Sequence, residues 1–88
     1  MAWTIEYAQS ALDQLRKLDP TAQRRIVDYM DKRIAVADTP RIHGHALSGR
    51  FKNLWRYRVG DYRIVCRIED ERLIVLVVGI GHRKDVYR

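Results

Sequence analysis

Four arginines between Asn53 and Arg67 carry the most explicit chemistry in this chain, because a two-residue turn puts them on one face of a β-hairpin. In the segment NLWRYRVGDYRIVCR the turn is Gly60-Asp61. Glycine suits the first central position of a type II′ hairpin, where φ must be positive, so Val59 is expected to pair with Tyr62 and Arg58 to lie opposite Arg63. Side chains alternate along a strand, which sends Arg56, Arg58, Arg63 and Arg67 one way. Trp55, Tyr57, Val59, Tyr62, Ile64, Cys66 and Ile68 then point the other way, into a core. Like charges directly across a strand pair are destabilising. An Arg58–Arg63 pair with a further arginine beside it therefore points to an anionic ligand, most simply phosphate, bound through charge-assisted hydrogen bonds.

Charge is unevenly spread over the 88 residues. Residues 1–49 hold seven Lys/Arg against six Asp/Glu, and residues 50–88 hold ten against five, so the C-terminal half carries most of the net +6. Of the 17 basic residues 13 are arginine, whose planar fork suits bidentate phosphate contacts and stacking on bases. A nucleic acid or an acidic protein segment is the expected partner. A basic surface tuned for solubility would give the same totals, and the hairpin geometry favours a site. Residues 1–88 read as a single domain with 47% hydrophobic and 32% charged residues, an ordinary globular composition. No apolar run approaches the roughly 20 residues of a membrane span, and the N-terminus lacks a basic-then-apolar signal segment, so the expected location is the cytoplasm, away from membranes. The lone Cys66 excludes an internal disulfide and reads as inert core.

The elements that must position the arginines follow from periodicity. Ala2 to Glu6 reads as a short strand. Ala8, Ala11, Leu12, Leu15 and Leu18 recur at helical spacing to about Leu18. Asp19-Pro20 caps and restarts the chain into a second helix, striped by Ala22, Ile26, Met30, Ile34 and Ala37 and expected to run to about Asp38. Thr39-Pro40 ends it. Arg41 to Lys52 reads as a loop with a short extended piece. It holds His43 and His45, which have no third ligand nearby and read as solvent-exposed. Strands follow at about Asn53–Val59, Tyr62–Glu69 and Arg72–Ile80, the last an apolar run expected at the sheet interior. The fold class is α+β in the order β-α-α-β-β-β, an antiparallel sheet with a helical hairpin on one face and an open cationic face on the other. No carboxylate cluster suits Mg²⁺, so neither a metal nor another cofactor is expected.

HALSGRFKNLWRYRVGDYRIVCRIED followed by LVVGIGHRKDVYR resembles the RelE toxins of the bacterial RelE/ParE superfamily. The resemblance covers nearly the whole chain and rests on the leucine-Ser-Gly loop, the basic strand into GDYRI and the closing GHRKDVY. It implies a small basic toxin of a type II toxin–antitoxin system that enters the ribosomal A site and cuts mRNA there. It also implies neutralisation by a RelB-like antitoxin, through which alone the toxin would reach operator DNA. ParE toxins share the fold and inhibit DNA gyrase by protein binding, which is the alternative function.

By this resemblance the family's basic strand positions fall on Arg56 and Arg58, its central arginine on Arg63, and its C-terminal arginine and tyrosine on Arg83 and Tyr87. The best-known RelE toxins have lysines where this chain has Arg56 and Arg58. A buried lysine can act as a base, whereas arginine stays protonated. Arg58 is thus read as a clamp on the non-bridging phosphate oxygens together with Arg63, and Arg56 as a backbone contact. Arg83 would stabilise or protonate the leaving 5′-oxygen, and Tyr87 would stack on a base, orient the 2′-hydroxyl or take part in proton transfer. His82, beside Arg83, is expected to supply the base that Arg58 cannot, or to contact RNA phosphate. Lys52, Arg67, Lys84 and Arg88 complete the expected RNA contacts. Two plainer readings stand beside these: surface pairing of Arg56 and Arg67 with Glu69, Glu71 or Asp85, and packing of Tyr87 over the sheet.

Overall fold

Asp19-Pro20 organises the helical layer as its residue types require. In a computed structural model, which describes residues 2–84, Asp19 keeps an extended backbone and its carboxylate accepts the Ala22 N–H at 2.8 Å, with Pro20 opening the helix. This helix, α2, spans Pro20–Tyr29, and α1 before it spans Gln9–Arg16. Ala11 and Leu15 of α1 and Ala22 and Ile26 of α2 are buried. The chain does not stay α-helical to Asp38 as the periodicity suggests. Met30–Ile34 widens into a π-helical turn closed by the Ala35 N–H on the Met30 carbonyl at 2.8 Å. The Ala35 carbonyl is then taken by the Trp3 N–H at 2.7 Å, so the helix end is tied to the start of the first strand. Ile26, Met30 and Ile34 are all fully buried through this change.

The strands are β1 (Thr4–Tyr7), β2 (His45–Ala46), β3 (Trp55–Val59), β4 (Tyr62–Glu69) and β5 (Ile74–His82). They form one sheet in the order β1-β5-β4-β3-β2, which leaves β5 interior as expected. β2 to β5 pair antiparallel, but β1 lies parallel to β5 with Thr4 opposite Ile74, so the sheet is mixed and not wholly antiparallel. The α1–α2 crossover between β1 and the rest of the sheet allows this, since a parallel neighbour cannot be reached by a tight turn. Past Val77 there is no β1 residue left to pair with β5, and α1 takes over the strand edge. The Ala8 N–H donates to the Val77 carbonyl at 2.8 Å, the Ile80 N–H donates to Gln14 Oε1 at 2.7 Å, and Ser10 Oγ donates to the Val78 carbonyl at 3.3 Å. Backbone groups that a sheet edge would leave unpaired are satisfied by a helix.

The core lies between the helices and one sheet face, where Tyr57, Ile64, Cys66, Val75, Val77 and Ile80 meet Ala11, Leu15, Ile26, Met30 and Ile34. Tyr57 anchors β3 there: its hydroxyl donates to the Pro40 carbonyl at 2.7 Å and its ring lies tilted on Tyr29 with centroids 6.4 Å apart. Among the described residues no helix is long and apolar enough to cross a membrane.

A register shift between Val65 and Cys66 sets what the open face presents. Cys66 pairs with Val77 while Val65 pairs with Gly79, so Val78 is an extra residue in β5. A bulge of this kind reverses the alternation beyond it. Ile80 turns into the core at 2% exposure, Gly79 and Gly81 come to the open face, and His82 turns to the helix side.

Candidate functional site

The arginine face is built on local rules. Gly60 has φ +59 and Asp61 keeps a negative φ, the type II′ signature, and Val59 pairs with Tyr62. Arg58 therefore stands directly opposite Arg63, with Gly81 beyond it on β5. The next row on this face is His45, Arg56, Val65 and Gly79. Two arginines thus face a strand whose outward positions are glycines. A side chain built at Gly79 would touch nothing closer than 3.9 Å. The result is a sheet face that combines arginines with glycines, where the missing side chains leave room for an anionic backbone to approach β5.

Arg58 and Arg67 are exposed and Arg56 and Arg63 half-buried. Arg63 Nη1 reaches the carbonyls of Gly60 at 3.3 Å and Tyr62 at 3.2 Å, which draws its guanidinium toward the turn. The Arg56 Nε is buried and meets no acceptor among the described residues. Among the described residues the expected surface pairs of Arg56 and Arg67 with Glu69 or Glu71 do not form. Glu69 bonds Arg72 at 3.1 Å, and Asp70 holds Arg41 in a bidentate pair at 2.7 and 2.8 Å. Both neighbouring carboxylates are therefore engaged by other arginines, and among the described residues no ion pair neutralises Arg56, Arg58 or Arg67.

Arg83 is brought to the same end of the hairpin. Its N–H donates to the Asp61 carbonyl at 2.8 Å, so the chain leaving β5 is tied to the turn, with Arg83 and Lys84 exposed beside it. Arg25, an exposed residue of α2, also belongs here. Its guanidinium lies over Gly60, within 3.0 Å of where a side chain would start. Arg25, Arg58, Arg63 and Arg83 thus come from α2, β3, β4 and the chain after β5 to surround one turn. Nothing in local sequence marks Arg25, because its position depends on how α2 crosses the hairpin.

His43 and His45 are exposed, as expected. His82 does not join the arginine face: it pairs with Tyr62, and their rings meet edge-on at 6.1 Å on the helix side. Its Nδ1 accepts the Lys84 N–H at 3.4 Å. The reason is that β5 runs to His82, past the expected end at Ile80, and the bulge fixes its phase. His45, read as a loop residue, lies in β2 opposite Arg56 and so on the arginine face. Its signal was only a two-residue strand, too short for alternation to reveal. Lys52 is exposed in the loop before β3. Tyr87 and Arg88, with the possible partner Asp85, lie outside the described residues.

Burial pushes the Cys66 thiol far up from its ordinary range, in keeping with an inert core position. Burial also raises Tyr57, and it raises Tyr7 to about 12 with a smaller contribution from the Asp31 charge. Among the described residues no three His, Cys, Asp or Glu side chains gather as a metal site. What the site offers is a concentration of positive charge around one turn and the sheet face beside it, suited to gripping a phosphodiester and to stabilising added negative charge on it.

Comparison with known proteins agrees with this geometry. Residues 5–87 match the ParE toxin family of type II toxin–antitoxin systems, parDE. The toxin RelG of Mycobacterium tuberculosis is 30% identical over 91 residues, covering 100% of this chain and 99% of that protein. The mRNA interferase toxin RelE of Escherichia coli is 30% identical over 87 residues, covering 96% of this chain and 86% of that protein. In structure, the chain is similar to one in the RelBE2 toxin–antitoxin complex of Mycobacterium tuberculosis, with a TM-score of 0.87 and 26% identity over 97% of this chain and 95% of that one. The intact Escherichia coli RelBE complex also contains the fold, with a TM-score of 0.74 and 24% identity over 92% of this chain and 96% of that one. With its matching fold and its arginine-lined hairpin, the chain belongs to the RelE/ParE superfamily of type II toxin–antitoxin toxins, as a RelE-type member.

Proposed function

We propose that this toxin is a metal-independent, ribosome-dependent endoribonuclease that cuts mRNA in the A site and is held inactive by a RelB-like antitoxin. The observation that carries the reading is the Arg58–Arg63 cross-strand pair, joined at the turn by Arg83. A surface selected only for stability would not stack these charges. The names of the similar RelE proteins as mRNA interferases and the RelBE complexes of the similar structures support it.

In the proposed reaction the RNA 2′-oxygen attacks the adjacent phosphorus. The new 2′-O–P bond forms as the P–O5′ bond breaks, the 2′-hydroxyl proton passing to solvent water and a solvent proton ending on O5′, which gives a cyclic phosphate and a free 5′-hydroxyl. Arg58 and Arg63 hold the non-bridging oxygens as negative charge builds on them, and Arg56 holds the neighbouring backbone. Arg83 stabilises the departing 5′-oxygen. Tyr87 orients the 2′-hydroxyl, a role taken from the resemblance. His82, on the helix side, is given no part. The test is primer extension on a defined mRNA in reconstituted translation, with and without programmed ribosomes. Cuts in the A-site codon that need ribosomes and disappear in Arg63→Ala are expected.

The family match to ParE toxins favours one second reading, inhibition of DNA gyrase by protein binding. Intact message in that assay, together with growth arrest and blocked gyrase supercoiling by the same protein, would replace the first reading with this one.

A further inference from the structure

At the end of the β3–β4 ladder away from the turn lies a second basic feature that the phosphate clamp does not use. A basin of about 720 Å³ is lined by Arg41, Arg50, Lys52, Trp55, Arg67 and Ile68, and among the described residues no carboxylate lines it. Its walls are built, not draped. Gly49 at φ +64 and Asn53 at φ +76 bend the loop before β3. Three hydrogen bonds then hold it: Lys52 N–H to the Gly49 carbonyl at 3.1 Å, Leu54 N–H to the Phe51 carbonyl at 3.1 Å, and Leu47 N–H to the Leu54 carbonyl at 3.0 Å. Asp70 grips Arg41 from outside the lining, and Arg41 lies over the Trp55 ring 5.6 Å from its centroid. Both sides of the basin are therefore fixed before anything binds.

The basin and the clamp share β4. Arg67 and Arg63 share a face of β4 and stand four residues apart, roughly 13 Å at about 3.4 Å per residue. Between them the outward residue is Val65, flanked by Arg56 on β3 and Gly79 on β5. Arg63 and Arg67 thus stand at two points of one strand face, with buried Val65 and half-buried Arg56 between them and no acidic side chain on β4 in that interval. Cations spaced in this way suit a polyanion with regularly spaced charges better than a single small anion.

We propose that the basin is a second phosphate site, centred on Lys52 and Arg67, that holds the single-stranded RNA several nucleotides from the bond being cut. The inference rests on the RNA reading above and adds where the rest of the strand lies and what it gains there. The site supplies strand affinity and register, while Arg58 and Arg63 supply the grip at the reacting phosphate. Since Lys52 and Arg67 are exposed and unpaired among the described residues, their removal leaves the fold intact.

The test uses fully 2′-O-methylated RNAs, which cannot be cut, of four and twelve nucleotides, with binding read by fluorescence anisotropy across a salt series. The Lys52→Ala/Arg67→Ala protein is expected to lose roughly tenfold in affinity for the longer RNA and to lower the log–log salt slope by about 1.4, two phosphate contacts' worth. Its affinity for the four-nucleotide RNA should stay within twofold of the parent, whereas Arg58→Ala/Arg63→Ala should weaken both. Equal losses on both lengths, or none on the longer, would overturn the basin site while leaving RNA binding in place. A parent that binds neither RNA would remove the RNA reading itself and this site with it. Decaglutamate binding that depends on Lys52 and Arg67, with RNA indifferent to them, would assign the basin to an acidic protein segment and overturn the proposal.

Discussion

The two faces of the β3–β4 hairpin settle their polar groups in opposite ways. On the helix side the Tyr57 hydroxyl is fully buried and has its acceptor at 2.7 Å, and the Cys66 thiol is sealed in the core. On the open side Arg58 stands against Arg63, the Arg56 Nε has no acceptor among the described residues, and nearby carboxylates serve Arg41 and Arg72. One strand pair therefore carries a face arranged for stability and a face arranged against it. The difference is what a binding surface requires: charge fixed in place by the core behind it, with Arg56 and Arg58 neutralised by no carboxylate among the described residues.

The comparison breaks most visibly if adjacent residues of β4 are exchanged between these roles. Ile64→Ala removes a fully buried side chain and should cost about 2–5 kcal/mol in urea unfolding. Arg63→Ala, one residue away on the other face, should leave unfolding within about 0.5 kcal/mol of the parent. Its RNA cleavage should fall by about 10²–10³-fold, the cost of one preorganised oxyanion donor. An Arg63→Ala protein that unfolds as easily as Ile64→Ala would mean that the open face is structural after all.

Tyr57→Phe tests the satisfied side more finely. It strips the donor from the Pro40 carbonyl and should cost about 1–3 kcal/mol without changing cleavage per folded molecule. The histidines sharpen the contrast further. His82→Ala should cut RNA within about twofold of the parent, since its ring lies on Tyr62, while His45→Ala should lose activity by a larger factor through its place beside Arg56. The opposite ranking, measured in the same primer-extension assay, would put the reactive face on the wrong side of the sheet.

Which of these features the sequence revealed depended on how local their causes are. The hairpin was legible because Gly60 and strict alternation over a few residues determine it, and with it the Arg56, Arg58, Arg63 and Arg67 face. The two amphipathic helices and the interior position of β5 were legible from spacing and from an unbroken apolar run. That same run hid the bulge: where every position is apolar, a shift of phase at Val78 changes no residue type, so the outward glycines and inward His82 could not be read. Parallel pairing of Thr4 with Ile74 joins distant segments, and four residues of strand give no hint of direction. The π-helical turn at Met30 preserves the apolar stripe while changing the backbone, which leaves no trace in the pattern. Arg25 and His45 reach the site only through tertiary packing and a two-residue strand.

The smallest expected effect concerns a cation at the edge of the open face that the protein does pair. Arg41 holds the Asp70 carboxyl below its usual range, chiefly through the hydrogen bond between them. A carboxyl lowered on folding adds stability above its unfolded pKa and loses that contribution as the pH falls through its folded value. Asp70 is exposed, so the contribution is slight. Asp70→Asn should melt slightly below the parent at neutral pH, and the two melting curves should converge below the ordinary carboxylate range. A constant gap across that range would mean that the ion pair contributes nothing and that asparagine acts through the backbone turn alone. Because the same change removes one negative charge beside the basin, affinity for a long RNA should not fall with stability. If it does fall, Asp70 is holding Arg41 in position for the ligand, and pairing on this face serves binding as well as stability.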